Sequence, residues 1–466
     1  MTTPTASRAE RVRIIGAGPT GALLAILLRR RGLRVTIYES RRDPRGAPPE
    51  SGRSINLALA DRGIAALRRV GLFDRVLPRL VPMSGRLIHD VRGTTSLQPY
   101  GMREAEVIYS ISRHGLNQAL LDLAIREHGV DVHFEHRLEA ADFTTGVAHL
   151  RDLRHDRIAT VPMRPLLACD GAGSRLRRDM QAAGLIAATE QALDHGYKEL
   201  AIPARAGGDY RMLKNALHIW PRGGHMLIAL PNDDASFTAT LFLPNTGAVS
   251  FASLTGPAEI ESFLVENFPD VVPLMPDRIA EFLTHPTGFL GTVYADPWAV
   301  GGEAAIIGDA AHAIVPFHGQ GMNCCLEDCL EFDACLDGQT SWENCFRDFH
   351  ARRKPNTDAI ASMALENYLE MRARVADARF RLRSALALEL ERRFPQHFIP
   401  RYSMVMFHHE IPYAAALTRG RVQARLLEEL TAGRATLADV DFARAEREIL
   451  RQLEPLAMIR SSVTNE

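Results

Sequence analysis

Three places in the chain set glycines and a carboxylate at spacings that suit a nucleotide-like ligand. The fullest is residues 308–328, G-D-A-A-H-A-I-V-P-F-H-G-Q-G-M-N-C-C-L-E-D. Gly308 and Asp309 follow the apolar run 303–307, so a small residue and a carboxylate end a predicted strand where a ribityl or ribose hydroxyl can approach the backbone. Gly319 and Gly321 leave backbone N–H groups uncovered just before the helix formers of 322–336. A helix N-terminus carries partial positive charge and attracts an anionic or electron-rich group. The same residues read equally well as a helix cap with two packing glycines. The second place is Gly16-Ala-Gly18-Pro-Thr-Gly21, with Glu39 23 positions after the first glycine. Gly16 permits the tight turn, Gly18 lets a pyrophosphate approach the backbone, Gly21 lets helix and strand pack closely, and Glu39 can bind ribose hydroxyls. The third is Asp170-Gly171 at the end of the apolar run 165–169, followed by Gly173 and a helix with Arg175 and Arg177.

Each of these groups needs a strand that feeds a helix. Residues 11–15 read as an apolar strand, the helix runs through Leu28, and 34–38 is a second strand, which together make a β-α-β unit around the first glycines. Asp61 could cap a helix carrying Ile64, Leu67 and Leu72. Before it, the run G-R-S-I-N-L-A-L-A-D-R-G at 52–63 puts Arg53 and Asn56 where they could meet a cofactor or simply bond backbone. Residues 106–112 read as a strand ending at Arg113, which could reach a cofactor phosphate or pair with a surface acid ahead of a helix at 114–128. Strands expected at 195–202, 216–220, 225–230 and 236–243 are spaced for a mostly antiparallel sheet, which reads as a substrate domain. From 342 onward the pattern is helical, clearest at 361–375 and 378–393. The expected fold class is α/β, a Rossmann-like domain assembled from separated segments, an antiparallel substrate domain and a helical C-terminal region.

With 466 residues the chain can bury a large core in two or three domains. Apolar content of 46% and charged content of 24% exclude a disordered or collagen-like chain. A net charge of -1 points to neither nucleic acid nor an anionic membrane. Lysine stands only at positions 198, 214 and 354. The six cysteines form no C-x-x-C pair with a matching pair, so no metal is expected, and they read as reduced thiols of a cytoplasmic protein. No signal core and no bilayer-length apolar run is present, so no membrane anchor is expected.

Together, the three glycine and acid motifs resemble the fingerprints of single-component aromatic hydroxylases with the para-hydroxybenzoate hydroxylase fold. G-R-S-I-N-L-A-L at Gly52, Y-S-I-S-R at Tyr109, H-G-Y-K-E-L at His195, L-H-I-W-P at Leu217, A-L-P-N at Ala229 and the stretch at Gly308 narrow this to a resemblance to the kynurenine 3-monooxygenase family, from about residue 11 to about residue 407. The resemblance implies non-covalent FAD, held by Gly16, Gly18, Gly21, Glu39, Arg41, Leu57, Arg113, Asp170, Gly171, Asp309, Gly321, Met322 and Asn323. It implies NADPH as electron donor without a nucleotide domain of its own, molecular oxygen as co-substrate, and hydroxylation of L-kynurenine ortho to the ring amino group through a flavin C4a-hydroperoxide. Arg86, Tyr100, Asn367 and Tyr402 match the residues that hold the amino-acid carboxylate and amine, a task that suits a guanidinium fork. Leu217, Met226, Ile228, Phe242, Pro316 and Phe317 match the apolar walls around the aryl ring, with Met371 beside them.

His318 sides with bacterial members, where animal members have Phe; it could bond the substrate's aniline or ketone, or be a satisfied loop histidine. Ser84, where animal members often have Arg, should leave an Arg86 clamp intact. The membrane-anchoring tail of mitochondrial members has no counterpart here, so a cytoplasmic monomer or homodimer acting on a small molecule is expected. FAD segments are expected at 1–75, 106–190 and 296–340, substrate-domain segments at 76–105 and 191–295, and the helical region at 341–466. Two other classes compete: a flavin-dependent halogenase would carry a W-x-W-x-I-P signature, whereas Trp220, Trp298 and Trp342 are isolated, and a non-catalytic flavoprotein would lack the clamp. A hydroxylase of a substituted kynurenine or another anthraniloyl compound stays open.

Overall fold

The computed structural model describes residues 11–46, 56–339, 341–373 and 378–457, so Arg53 lies outside the described residues. The chain divides into two compact units, one of Met1–Arg79, Ile111–Leu193 and Gly291–Ala361, the other of Leu80–Ser110, Asp194–Leu290 and Ser362–Glu466. Against the expected breaks at 75/76, 105/106, 190/191, 295/296 and 340/341, the last differs most. The division falls at 361/362, inside a continuous helix, Trp342–Ala373. That helix runs through Pro355, and the expected helix at 361–375 is its second half.

The first unit is built on a six-stranded sheet in the order Ala299–Val300, Ala304–Ile306, Leu166–Ala168, Arg11–Ile15, Arg34–Glu39, Asp131–Phe134. All of its pairs are parallel except the first. Strands covered on both faces are rich in apolar residues, and Val12, Ile14, Leu166, Leu167, Ala304 and Ile306 are buried. Because four neighbouring strands run the same way, the residues that follow them, Gly16, Ser40, Cys169-Asp170 and Ile307-Gly308, emerge at one edge. Ligands of open parallel sheets bind at that carboxyl edge.

A seven-stranded sheet, most of it in the second unit, runs in the order Gly288–Asp296, Ala187–Ile202, Phe237–Pro244, Met226–Pro231, Ala216–Pro221, Gly85–His89, Thr95–Pro99. The strand expected at 195–202 begins earlier, at Ala187, because the polar, exposed stretch before His195 continues the same extended run. Alternation divides the side chains cleanly. One face sends Leu200, Trp220, Leu227, Ala229, Leu241 and Leu243 into a core with Ile260, Phe263, Leu264 and Phe282 of the helices Pro257–Asn267 and Arg278–Thr284. A second core joins the C-terminal helices Ala378–Arg393, Tyr413–Thr431 and Phe442–Gln452 through Leu386, Leu390, Phe398, Leu426 and Ile449.

Candidate active site

In the first unit the cradle is mostly backbone. Gly16 has φ +98°, and a Cβ there would lie 2.4 Å from the Cys169 carbonyl oxygen. At Gly21 a Cβ would lie 2.1 Å from the Gly16 oxygen, so both positions require glycine. Gly18 differs, since nothing comes within 4 Å of its Cβ position. It caps the helix Pro19–Arg30, which has no side-chain cap and no acid in its first turn. Its leading N–H groups are therefore open to an anion such as a pyrophosphate.

Glu39 is buried, and its Oε2 accepts the Ala17 N–H at 2.7 Å while Oε1 accepts both the N–H and Nε of Arg41 at 2.9 Å. Burial would raise its pKa, but the bonds from Arg41 outweigh this and hold it below the usual carboxylate range. Glu39 and Arg41 thus act as one unit. Asp170 accepts the Arg175 N–H at 2.8 Å through Oδ2, while Oδ1 is buried with no hydrogen-bond partner among the described residues. Burial pushes that carboxyl up. Gly308, at φ +67°, packs a Cβ position 3.1 Å from Thr20 and 3.2 Å from Cys325, and Asp309 beside it accepts from the Cys325 thiol at 3.3 Å.

Gly319, at φ +68°, and Gln320 lead into the helix Gly321–Cys335, again without a side-chain cap or an acid in its first turn. Asn323 turns inward. Its Oδ1 accepts the Ala60 N–H at 2.9 Å, and its Nδ2 donates to the carbonyls of Ala58 at 2.8 Å and Gly319 at 2.9 Å. Both amide hydrogens are used within the protein, so what Asn323 offers a ligand is its backbone. Leu57 and Met322 are half-buried. Arg113 is exposed and pairs with no acid among the described residues. An uncapped helix start, an orphaned Asp170 oxygen and the open space at Gly18 fit FAD in its pyrophosphate, hydroxyl and ring-facing parts.

Charged residues whose roles the sequence conceals support this cradle. Arg177 is buried, donates to the carbonyls of Ala310 at 2.8 Å and Ala172 at 2.5 Å, and pairs with Glu190 at 2.5 Å, tying the Asp170 turn to the Asp309 turn. Under the Gly321 helix, Arg353 pairs with Glu327 and Asp328 at 2.7 Å each, Arg62 pairs with Glu327, and His312 bonds Asp328 at 2.5 Å. His312, Cys324 and Asp328 cluster closely enough to resemble a metal site, but the Arg353 guanidinium already sits on Asp328 and 3.4 Å from the Cys324 sulfur.

The second unit brings together three of the four residues expected to hold the substrate's polar end, Arg86, Tyr100 and Tyr402. Gly85 lets the Arg86 strand approach Thr95–Pro99, since a Cβ there would lie 2.5 Å from the Gln98 oxygen. The Tyr100 N–H donates to the Ser84 carbonyl at 3.0 Å. The Arg86 guanidinium carbon stands 4.4 Å from the Tyr402 ring centroid and 5.7 Å from that of Tyr100, and the two rings stack at 5.6 Å with planes 17° apart. The Arg86 Nε and the Tyr100 hydroxyl are buried without a hydrogen-bond partner among the described residues. Burial pushes the Tyr100 phenol well above its ordinary value, so it stays neutral and able to donate.

Register puts Arg86 beside Leu217, Ile228 beside Ile219, and Met226 beside Phe242. Arg86, Leu217, Ile228, Met226 and Phe242 therefore share the sheet face opposite the packed core. Asn367 is buried and its Nδ2 bonds the Met371 sulfur at 3.3 Å. Pro316, Phe317 and His318 belong to the first unit, in a short 3-10 turn, with Phe317 and His318 buried. Glu106 was not evident from sequence; its carboxylate accepts the N–H groups of Met102 at 2.7 Å and Arg103 at 3.0 Å, fixing the turn after Tyr100.

A parallel sheet with a glycine cradle at its carboxyl edge and an antiparallel second sheet are the architecture of an FAD-dependent aromatic monooxygenase. An FAD binding domain family matches residues 9–222. The kynurenine 3-monooxygenase of Stenotrophomonas maltophilia is 50% identical over 443 residues, 95% of this chain and 97% of that one, and that of Xanthomonas campestris pv. campestris is 49% identical over the same shares. The chain belongs to the kynurenine 3-monooxygenase family. Its fold is also that of 2-methyl-3-hydroxypyridine-5-carboxylic acid oxygenase, at a TM-score of 0.64 and 20% identity over 81% of this chain and 95% of that one. A tetracycline destructase gives a TM-score of 0.62 at 16% identity, over 83% of this chain and 97% of that one. Among the described residues no helix is long and apolar enough to cross a membrane.

Proposed function

We propose that the protein hydroxylates L-kynurenine at the ring carbon ortho to the amino group, consuming NADPH, a proton and molecular oxygen and yielding 3-hydroxy-L-kynurenine, NADP⁺ and water. The observation that carries this reading is Arg86. It is a guanidinium stacked on Tyr402 whose Nε, like the neighbouring Tyr100 hydroxyl, is sealed from water without a protein acceptor. A carboxylate of an amino-acid substrate would satisfy both donors at once. Asn367 serves the substrate's polar end, and Leu217, Met226, Ile228 and Phe242 give its aryl ring an apolar bed that excludes water.

FAD, when bound, supplies the acceptance of electrons from NADPH and the activation of oxygen. The protein's share is to hold it: Gly18 and the Pro19–Arg30 N-terminus at the pyrophosphate, Glu39 with Arg41 at the ribose, Asp170 and Asp309 at hydroxyls, and the Gly321–Cys335 N-terminus where negative charge develops. No side-chain acid or base is required at the ring, because the substrate's own amino group activates the ortho carbon.

NADPH oxidation by the flavin-loaded protein, with and without L-kynurenine, tests the activity, with the product identified by mass. Stimulated oxidation with a product one oxygen heavier is expected; no stimulation sinks the reading. Arg86→Ala should raise the substrate KM by roughly 30- to 1000-fold, the equivalent of about 2–4 kcal/mol for a lost charge-assisted contact, with FAD still bound. An unchanged KM removes the clamp.

A further inference from the structure

The L-H-I-W-P motif supplies Leu217 to one face of the second unit's sheet, while His218 and Trp220 are directed to the opposite, packed face, where both are buried. There they meet His89, at the end of the Arg86 strand, and Asp270. Asp270 Oδ2 is 2.9 Å from His89 Nδ1 and accepts the Trp220 indole N–H at 2.8 Å. His89 Nε2 is 2.9 Å from His218 Nδ1, and His218 Nε2 is 2.8 Å from the Leu213 carbonyl oxygen.

The protons in this chain can be counted from both ends. The Leu213 carbonyl only accepts, so His218 Nε2 carries a hydrogen. Burial pushes His218 down to about 4, which denies it a second proton near neutrality, so its Nδ1 is a bare acceptor. His89 Nε2 must then donate. At the other end Asp270 stays a carboxylate: burial would raise it, but the bonds from His89 and Trp220 outweigh burial and hold it below its ordinary value. His89 Nδ1 must donate as well. A ring with two N–H donors is an imidazolium, and this one also stacks on the Trp220 ring at 4.1 Å and 22°.

We propose that His89 is a buried imidazolium whose pairing with Asp270 and His218 fixes the strand Gly85–His89 and thereby positions Arg86 for the substrate. It is a positioning residue, and the inference rests on the clamp reading of Arg86. The strand needs such a fastening because its outer neighbour, Thr95–Pro99, is a largely exposed edge strand, which leaves the parallel Ala216–Pro221 as its one inner partner. The groups facing His89 are Asp270, His218 and Trp220, together with Arg222, whose Nη1 donates to the His89 carbonyl at 3.1 Å, and Asp90, whose carbonyl receives Arg222 Nη2 at 3.3 Å. Arg222 is the like charge in the group, and Asp270 faces it as the compensating anion.

Long-range proton–nitrogen correlation NMR on histidine-labelled protein at pH 7 reads the proton count directly, with His89→Gln used to assign the signal. Both His89 nitrogens protonated and His218 protonated only at Nε2 is the expected result; a bare His89 nitrogen overturns the proposal. Asp270→Asn, which keeps the shape, should return His89 to one N–H. In steady-state kinetics His89→Gln should raise the substrate KM with little change in kcat, and an unchanged KM overturns the proposal. Arg86→Ala raises KM by itself if the clamp reading stands, so its failure and the failure of the His89 reading are separately visible.

Discussion

Glu391 is a carboxyl placed where ionisation costs stability, and Glu391→Gln should make the protein more stable. On the helix Ala378–Arg393 it is 3% exposed, and neither carboxyl oxygen has a hydrogen-bond partner among the described residues. Burial, followed by the charge of Glu106, raises it from 4.5 to about 7, with Arg103 and His408 opposing weakly. The direction fixes the sign. Between those two values the unfolded chain loses its proton while the folded one keeps it, so stability falls as pH rises through this window. The rise from 4.5 to about 7, at about 1.4 kcal/mol for each tenfold change, gives an upper bound of about 3.5 kcal/mol. Local relaxation and the opposing charges of Arg103 and His408 bring the expected gain to about 2 kcal/mol. Glutamine is neutral at every pH, so wild type and variant should coincide near pH 4 and separate above pH 7. Denaturant midpoints followed by tryptophan fluorescence at both pH values measure this. An equal gap at both pH values would assign the effect to packing, and no gap at pH 8 would refute the reasoning.

Two further substitutions probe the first unit. Gly21→Ala puts a methyl 2.1 Å from the Gly16 oxygen and should give protein purified without flavin; normal flavin absorbance in that variant would show that the turn yields. Arg353→Met strips the partner from Asp328 and one partner from Glu327, both in the buried network under the Gly321 helix, and should cost about 3–5 kcal/mol. Thermal unfolding checks this, and a shift of less than a degree or two would mean that Arg62 and His312 suffice.

What was legible in the sequence follows from how far each interaction reaches along the chain. The runs at 11–15, 34–38, 165–169 and 303–307 announced themselves because strands covered on both faces are rich in consecutive apolar residues, and the glycines and acids after them mark one sheet edge. Leu217, Met226, Ile228 and Phe242 came from the resemblance, and the register of their strands puts them on one sheet face. What stayed hidden depends on a remote partner. Arg62 meets Glu327 across 265 positions and His89 meets Asp270 across 181, and no local pattern marks an arginine or histidine that will be buried beside a particular acid. Asn323 came with the resemblance as a cofactor-binding residue, and no local pattern foretells that its side chain is held by carbonyls and an N–H of the fold, which leaves its backbone for a ligand.

Those remote pairings also separate structural charges from ligand-binding ones. Arg62, Arg177 and Arg353 are buried, and each has its carboxylate within the fold. Burying a cation without a counter-ion is costly, so such completed pairs fasten segments together and leave little for a ligand. Arg86 is different: among the described residues no carboxylate forms an ion pair with it, and two phenol rings stand where an acid would be expected. Aromatic faces stabilise a guanidinium without neutralising it, which keeps its fork available. A site built this way discriminates by charge, because a bound anion supplies the missing half of the pair while a neutral analogue leaves buried donors unmet. By this argument a kynurenine analogue whose carboxylate is converted to an amide should lose most of its affinity for the wild type and little for Arg86→Ala, and equal losses in both would place the carboxylate elsewhere.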